Sequence, residues 1–168
     1  MTVLETERLS LRRFTVADAQ FILTLLNEPS FLRYIGDKQV RNLEDARQYI
    51  LNGPVASYER NGFGLYLVEL KESYTPIGMC GFLKREELPD PDIGFAFLPA
   101  FWNKGFAFEA ATAVLQDARE RLRLERILAI TSLDNEASIK LLERLGFSFE
   151  RIIRLSADRE QVRLFTKN

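Results

Sequence analysis

The chain has 168 residues, 46% of them hydrophobic and 11% aromatic, which is enough for one domain with a packed core and too short for two independent ones. Lys and Arg total 23 against 24 Asp and Glu, so a net charge of -1 gives no field for gathering nucleic acid or an anionic membrane. Histidine is absent and cysteine occurs once, at Cys80, which excludes Ser-His-Asp and Cys-His catalysis, HExxH zinc sites, intrachain disulfides and thiolate zinc clusters.

A single cysteine leads to the expectation of a reducing cytoplasm; no leader-like apolar run opens the sequence, and nothing approaches the ~20 apolar residues of a membrane span. Leu9, Leu11 and Phe14 suggest a first strand. Thr15 to Asp18 has the form of a capping box opening a helix through Phe21, Ile22, Leu25 and Leu26 that stops before Pro29. Residues 28–42 read as a loop rich in large side chains, and Asn42 can cap a second helix that Gly53-Pro54 should interrupt. From Phe63 the pattern becomes extended, with three strands at 63–70, 77–83 and 92–98 suggesting an antiparallel meander.

Ala107, Ala110, Ala111, Val114, Leu115, Ala118 and Leu122 then fall at helical spacing. A strand at 126–131 follows, so the crossover should place it parallel to an earlier strand. A short helix from about Glu136 should end at Gly146 with a left-handed cap, and segments near 148–155 and 161–166 should close the chain as a hairpin. The expected whole is one α/β domain over residues 1–168, a mixed sheet with helices on both faces.

Two segments carry chemical information. Phe97-Leu98-Pro99-Ala100-Phe101-Trp102-Asn103-Lys104-Gly105-Phe106-Ala107-Phe108 passes from a strand through a Pro-marked turn into a helix start. Unpaired N–H groups and small residues there suit an anion, although an ordinary strand-helix turn fits the segment equally well, and its spacing matches neither GxxxxGK[ST] nor GxGxxG. In the second, Asp134-Asn135-Glu136-Ala137-Ser138 precedes Leu141-Leu142-Glu143-Arg144-Leu145-Gly146-Phe147, and capping alone would account for Asn135.

Together, and after an opening ETERLSLRRF, these segments resemble the GNAT superfamily of N-acetyltransferases, in particular its Rim-type branch that acetylates ribosomal-protein N-termini. The resemblance spans nearly the whole chain. It implies a mostly antiparallel sheet of six to seven strands with one splayed parallel pair, and acetyl-CoA in the splay with no metal. Its pantetheine arm would lie along Phe97 and Leu98. The pyrophosphate would meet the N–H groups around Asn103, Lys104, Gly105, Phe106, Ala107 and Phe108, with Asn135 also in contact. An N–H near Phe97 would hold the developing oxyanion.

Many family members carry a tyrosine proton donor where this chain has Leu142, so the resemblance passes that role to Ser138, which could instead bond backbone in its helical turn. No compelling base is visible. Asp92, Glu69, Asp158 and Glu160 are candidates, with Asp92 foremost, though each could equally be a solvated charge. A weak base favours an α-amine, of pKa ~7.7–8.0 and roughly one-third neutral at pH 7.5, over a lysine at ~10.4, about 0.1% neutral. The expected function is thus transfer of acetyl to a primary amine by direct attack, with a ribosomal-protein N-terminus as acceptor and the protein a monomer or homodimer. Amino acid, polyamine or antibiotic acceptors, or a non-catalytic acyl-CoA sensor, remain the alternatives. Cys80, mid-strand, reads as a core thiol.

Overall fold

The chain opens with β1 (Thr2–Glu5) turning back onto β2 (Leu9–Arg13), in a computed structural model that describes residues 2–168. β3 (Leu65–Leu70), β4 (Pro76–Leu83) and β5 (Asp92–Phe97) form the expected antiparallel meander. Helix α5 (Phe106–Glu120) crosses over to β6 (Ile127–Ser132), α6 (Glu136–Arg144) follows, and β7 (Ser148–Arg154) with β8 (Gln161–Lys167) end the chain as a hairpin. The order β1-β2-β3-β4-β5-β6-β8-β7 makes eight strands instead of six to seven. The additional one is β1, a four-residue edge strand whose pairing slips between Thr2 and Leu4; it is too short and irregular to leave a period-2 signature.

Three helices between β2 and β3 cover one face, α1 (Ala19–Leu26), α2 (Pro29–Tyr34) and α3 (Leu43–Ile50), while a fourth, α4 (Ala56–Asn61), turns Tyr58 into the core of the other face. Ile22, Leu25, Leu26, Phe31, Ala46 and Ile50 seal them against Leu65, Leu67 and Met79. Thr15 caps the entry as expected, its hydroxyl accepting from the Ala17 N–H while Asp18 accepts from the Thr15 N–H, though the turn it opens is a 3-10 turn leading into α1. Two punctuation signals act differently from expectation. Pro29 ends α1 but also starts α2, because a proline's missing N–H and fixed φ suit a first helical position. Gly53-Pro54 does not break the chain's helical path either: the wider π-helical turn Leu51–Val55 accommodates the proline ring and runs on into α4.

The other face carries α5 and α6. Ala110, Ala111 and Ala118 are fully buried and let α5 settle closely on the sheet against Val68, Cys80 and Ile93, while α6 contributes Leu142 and Leu145. Burial pushes the Cys80 thiol pKa up, as suits a core thiol. Gly146 adopts φ +93 after α6, in the expected left-handed cap, with the Phe147 N–H returning to the Leu142 carbonyl. No helix among the described residues is long and apolar enough to cross a membrane.

β5 follows β4 along its full length and β6 follows β8 along its full length, yet β5 and β6 meet, in parallel, only at Asp92 and Leu128. The sheet is therefore two sheets hinged at one rung. Close backbone approach in the larger of them is visible at Gly81, where a Cβ would stand 2.1 Å from the Gly64 carbonyl oxygen and 2.9 Å from Leu65 Cα. Gly81→Ala should cost about 1–3 kcal/mol, read as a lower urea midpoint at unchanged m-value. An unchanged midpoint would mean that the β3–β4 pair separates freely.

Candidate active site

Hydrogen-bond alternation decides which backbone groups face the parted strands. The Leu98 N–H donates to the Ile77 carbonyl at 2.9 Å, so the main chains of Phe97 and Phe95 turn to the opposite edge of β5, towards β6. Since β6 has diverged there, a cleft of about 560 Å³ opens beside Phe95, Ala96 and Phe97. It is lined on one side by Leu25, Glu28, Phe31 and Tyr34 from α1 and α2, and on the other by Ala107, Ser138, Leu141 and Arg144 from α5 and α6. The opening thus passes through the sheet and joins its two faces. Leu98 stands outside it: its N–H belongs to β4 and its side chain packs with the α1–α3 core.

The start of α5 forms one wall. Asn103 (φ +60) and Gly105 (φ +83) both lie in the left-handed region, and no side chain caps the helix, so the first-turn N–H groups stay open. Asn103, Gly105, Phe106, Ala107 and Phe108 all line the cleft, whereas Lys104 is exposed and does not. Two arginines that the spacing did not suggest stand here instead. Arg8 Nη2 would lie 3.3 Å from a Cβ on Gly105, with its guanidinium stacked 4.3 Å over Phe106, and Arg144 stacks 4.3 Å over Phe108. Glu109, in the same turn, takes hydrogen bonds from Thr6, the Arg8 N–H and Arg8 Nε, which hold its carboxyl pKa below the usual range despite partial burial. Its charge is thereby neutralised, leaving the helix start free for another anion.

Trp102 is half-exposed on the cleft rim, and its indole Nε1–H donates to the Phe97 carbonyl at 2.8 Å.

The β6–α6 turn continues the lining on the α5 side. Asn135 Oδ1 accepts from the Ser138 N–H at 3.3 Å, so Asn135 is a helix cap and a cleft residue at once. Ser138 lines the cleft; Leu142 is buried in the core. Two further hydroxyl residues that sequence reasoning passed over, Thr131 and Ser132, also line it. Arg33 and Asp134, 3.3 Å apart, link α2 to this turn across the surface.

The carboxylates picked from sequence are elsewhere. Asp92 sits at the hinged end of β5, 1% exposed and away from the cleft lining, with both its oxygens taking Arg85 Nε at 3.0 and 3.2 Å. Burial raises its pKa, and Arg85 only partly offsets that rise. Asp92 is thus engaged by Arg85 at the paired end of β5, outside the cleft lining. Glu69 is buried beside Arg12, and neither Asp158 nor Glu160 lines the opening; Glu28, Asp134 and Glu136 do. Among the described residues no cluster of three or more Asp, Glu or Cys side chains is placed to hold a metal ion.

Comparison with known proteins bears on this geometry. Residues 8–148 match the family described as "Acetyltransferase (GNAT) domain", which covers the cleft and both of its walls. The chain belongs to the GNAT acetyltransferases. Among curated GNAT relatives, an uncharacterized N-acetyltransferase, YoaA of Bacillus subtilis, is 32% identical over 153 residues, covering 90% of this chain and 86% of that protein. An acetyltransferase from Agrobacterium tumefaciens shares the fold with a TM-score of 0.84 at 24% identity, covering 100% of this chain and 95% of that one. RimL, a ribosomal L7/L12 alpha-N-protein acetyltransferase solved in complex with coenzyme A, superposes with a TM-score of 0.84 at 19% identity over 99% and 97% of the two chains.

In this GNAT chain the Asp92–Arg85 pair yields a sign-specific test. Arg85→Ala leaves a buried carboxylate without its counter-charge and should cost about 3 kcal/mol at pH 8. The penalty falls on the charged form, whose pKa rises further in the variant, so the deficit should shrink as the pH drops and Asp92 takes up a proton. Urea melts of both proteins across pH check this; a pH-independent deficit would assign the loss to Arg85 packing alone.

Proposed function

We propose that this chain is an acetyl-CoA-dependent N-acetyltransferase that modifies the α-amine of a protein N-terminus, with a ribosomal protein as the leading acceptor. The observation that carries the reading is the cleft through the sheet, because two substrates entering from opposite faces can meet only where β5 and β6 part. The residues present fit the cofactor. Open N–H groups at the α5 start, the Arg8 Nη2 that lies over Gly105 and the nearby Arg144 suit a diphosphate. The β5 edge that β6 leaves at Phe95 and Phe97 suits an extended amide-bearing arm, which would take the Phe97 carbonyl from the Trp102 indole. Acetyl-CoA would supply the activated acyl group; the chain's residues orient it.

In this reading the Phe97 N–H polarises the thioester carbonyl, and Ser138 returns a proton to the departing sulfur. Asp92 has no part in it, and a largely pre-neutral α-amine needs no strong base. Half-buried Glu28, on the α2 side, is the carboxylate positioned to draw in an ammonium. The likeness in fold to RimL, an alpha-N-protein acetyltransferase, supports an N-terminal acceptor by analogy. The lone, buried thiol is compatible with life in the cytoplasm.

A thiol-release assay tests the whole reading, with acetyl-CoA offered alongside peptides beginning with Ala, Ser or Met, and alongside polyamines and free amino acids. Turnover with peptides is expected; turnover confined to small amines would move the acceptor, and tight binding without turnover would indicate a sensor. Ala107→Glu separates binding from folding, since an acid in the first helical turn favours the helix but repels phosphates. It should keep its melting temperature and lose about tenfold or more in acetyl-CoA affinity by calorimetry. Ser138→Ala should lower kcat about 10- to 100-fold at unchanged acetyl-CoA affinity, and an unaltered kcat would reduce Ser138 to a helix-turn residue.

A further inference from the structure

Among the described residues three buried side-chain oxygens have no hydrogen-bond partner: Tyr66 Oη, Thr131 Oγ1 and Ser132 Oγ. Tyr66 lies in the core beneath α5, but Thr131 and Ser132 are consecutive and both line the cleft. A native protein rarely leaves a buried hydroxyl unpaired, because the group gives up its water without compensation. Two side by side at one point of a cleft indicate partners that arrive with a ligand.

Their placement says which partners. Counting on in parallel register from the Asp92–Leu128 rung brings Thr131 level with Phe95 and Ser132 level with Ala96, across the gap where the strands part. Successive side chains on a strand point to opposite faces. Thr131, only 7% exposed, follows Ile127 and Ala129 to the face of α5 and α6, and Ser132 follows Leu128 and Ile130 to the face shared with Ala96 and the α1–α3 core. One hydroxyl therefore stands on the side of the α5 helix start and its neighbour on the side of α1 and α2.

We propose that the end of β6 holds both reactants, the Thr131 hydroxyl donating to the thioester sulfur and the Ser132 hydroxyl accepting from the incoming amine N–H. This rests on the acetyltransferase reading above. In the step itself the amine lone pair forms the new C–N bond as the C–S bond breaks, its electron pair staying on sulfur. The nitrogen gives up one proton to solvent through the Ser132 side, and the sulfur, held by Thr131, takes one from Ser138, which is reprotonated from water. The products are an amide and a free thiol. The two hydroxyls align nitrogen, carbonyl carbon and sulfur through one rigid strand, so the geometry is set before reaction begins.

The experiment compares Thr131→Val, Thr131→Ser and Ser132→Ala with the wild-type chain. Calorimetry with CoA and with desulfo-CoA needs no acceptor. The wild-type chain should bind CoA about threefold more tightly than desulfo-CoA, Thr131→Val should lose that gap and Thr131→Ser should keep it. The Thr131→Val protein should melt no lower than wild type, since it exchanges an unpaired buried hydroxyl for a methyl of similar size. With acetyl-CoA and an alanyl or seryl peptide, Ser132→Ala should raise the peptide KM about three- to tenfold while leaving CoA affinity unchanged.

A gap between CoA and desulfo-CoA that survives Thr131→Val, or a melting temperature lowered by several degrees, would overturn the role of Thr131. An unchanged peptide KM would overturn that of Ser132. Failure of the wild-type chain to bind CoA at all would instead sink the acetyltransferase reading on which the proposal rests.

Discussion

Everything functional in this chain follows from one rung of backbone pairing. β5 and β6 touch at Asp92 and Leu128, and beyond that point each strand stays with its own half of the sheet, β5 with β4 and β6 with β8. Were the two halves zipped along their length, the polar edge at Phe95 and Phe97 would be consumed by β6 and the opening would close. Were they joined nowhere, the walls would drift apart. The Asp92–Arg85 pair sits at the closed end and ties β5 to the loop after β4, so a charge that could serve as a base in another setting is here engaged by a buried ion pair.

The helices are arranged around that opening. α5 brings an uncapped start to one side of the gap, α6 brings Asn135 and Ser138 to the same side, and α1 with α2 closes the opposite face. Because the cleft passes between strands, the helices that line it also pack the core, and Leu25, Phe31 and Phe106 serve both at once. Ala107 and Ala110 divide the two tasks within a single turn: Ala107 lines the cleft and Ala110 is fully buried against the sheet.

Sequence legibility followed the range over which each signal acts. The spacing of Ala110, Ala111, Val114 and Ala118, the glycine after α6 and the cap at Thr15 are local, and all appear as expected. β1 was missed because four residues at a sheet edge carry too little alternation, and α2 because Pro29 signals both the end of one helix and the start of another. Of the residues read from the motifs, Asn103, Gly105, Phe106, Ala107, Phe108, Asn135 and Ser138 line the cleft, whereas Lys104 and Leu98 do not. The site was not legible where position depends on distant pairing. Arg8 reaches the α5 start from the β1–β2 turn, Asp92 is engaged by Arg85, and the unpaired hydroxyls of Thr131 and Ser132 come into view only once β5 and β6 are seen to part.

The bond from the Trp102 indole to the Phe97 carbonyl has an optical consequence. Any extended ligand that pairs with β5 at this carbonyl must compete with the indole for it, so docking exchanges one neighbour of the ring for another and alters its exposure to water. The chain contains a single tryptophan, and its emission therefore reports on one place only, the rim of the cleft. The protein carries its own built-in fluorophore at the doorway, and the colour and intensity of that light follow the occupancy of the groove without any label.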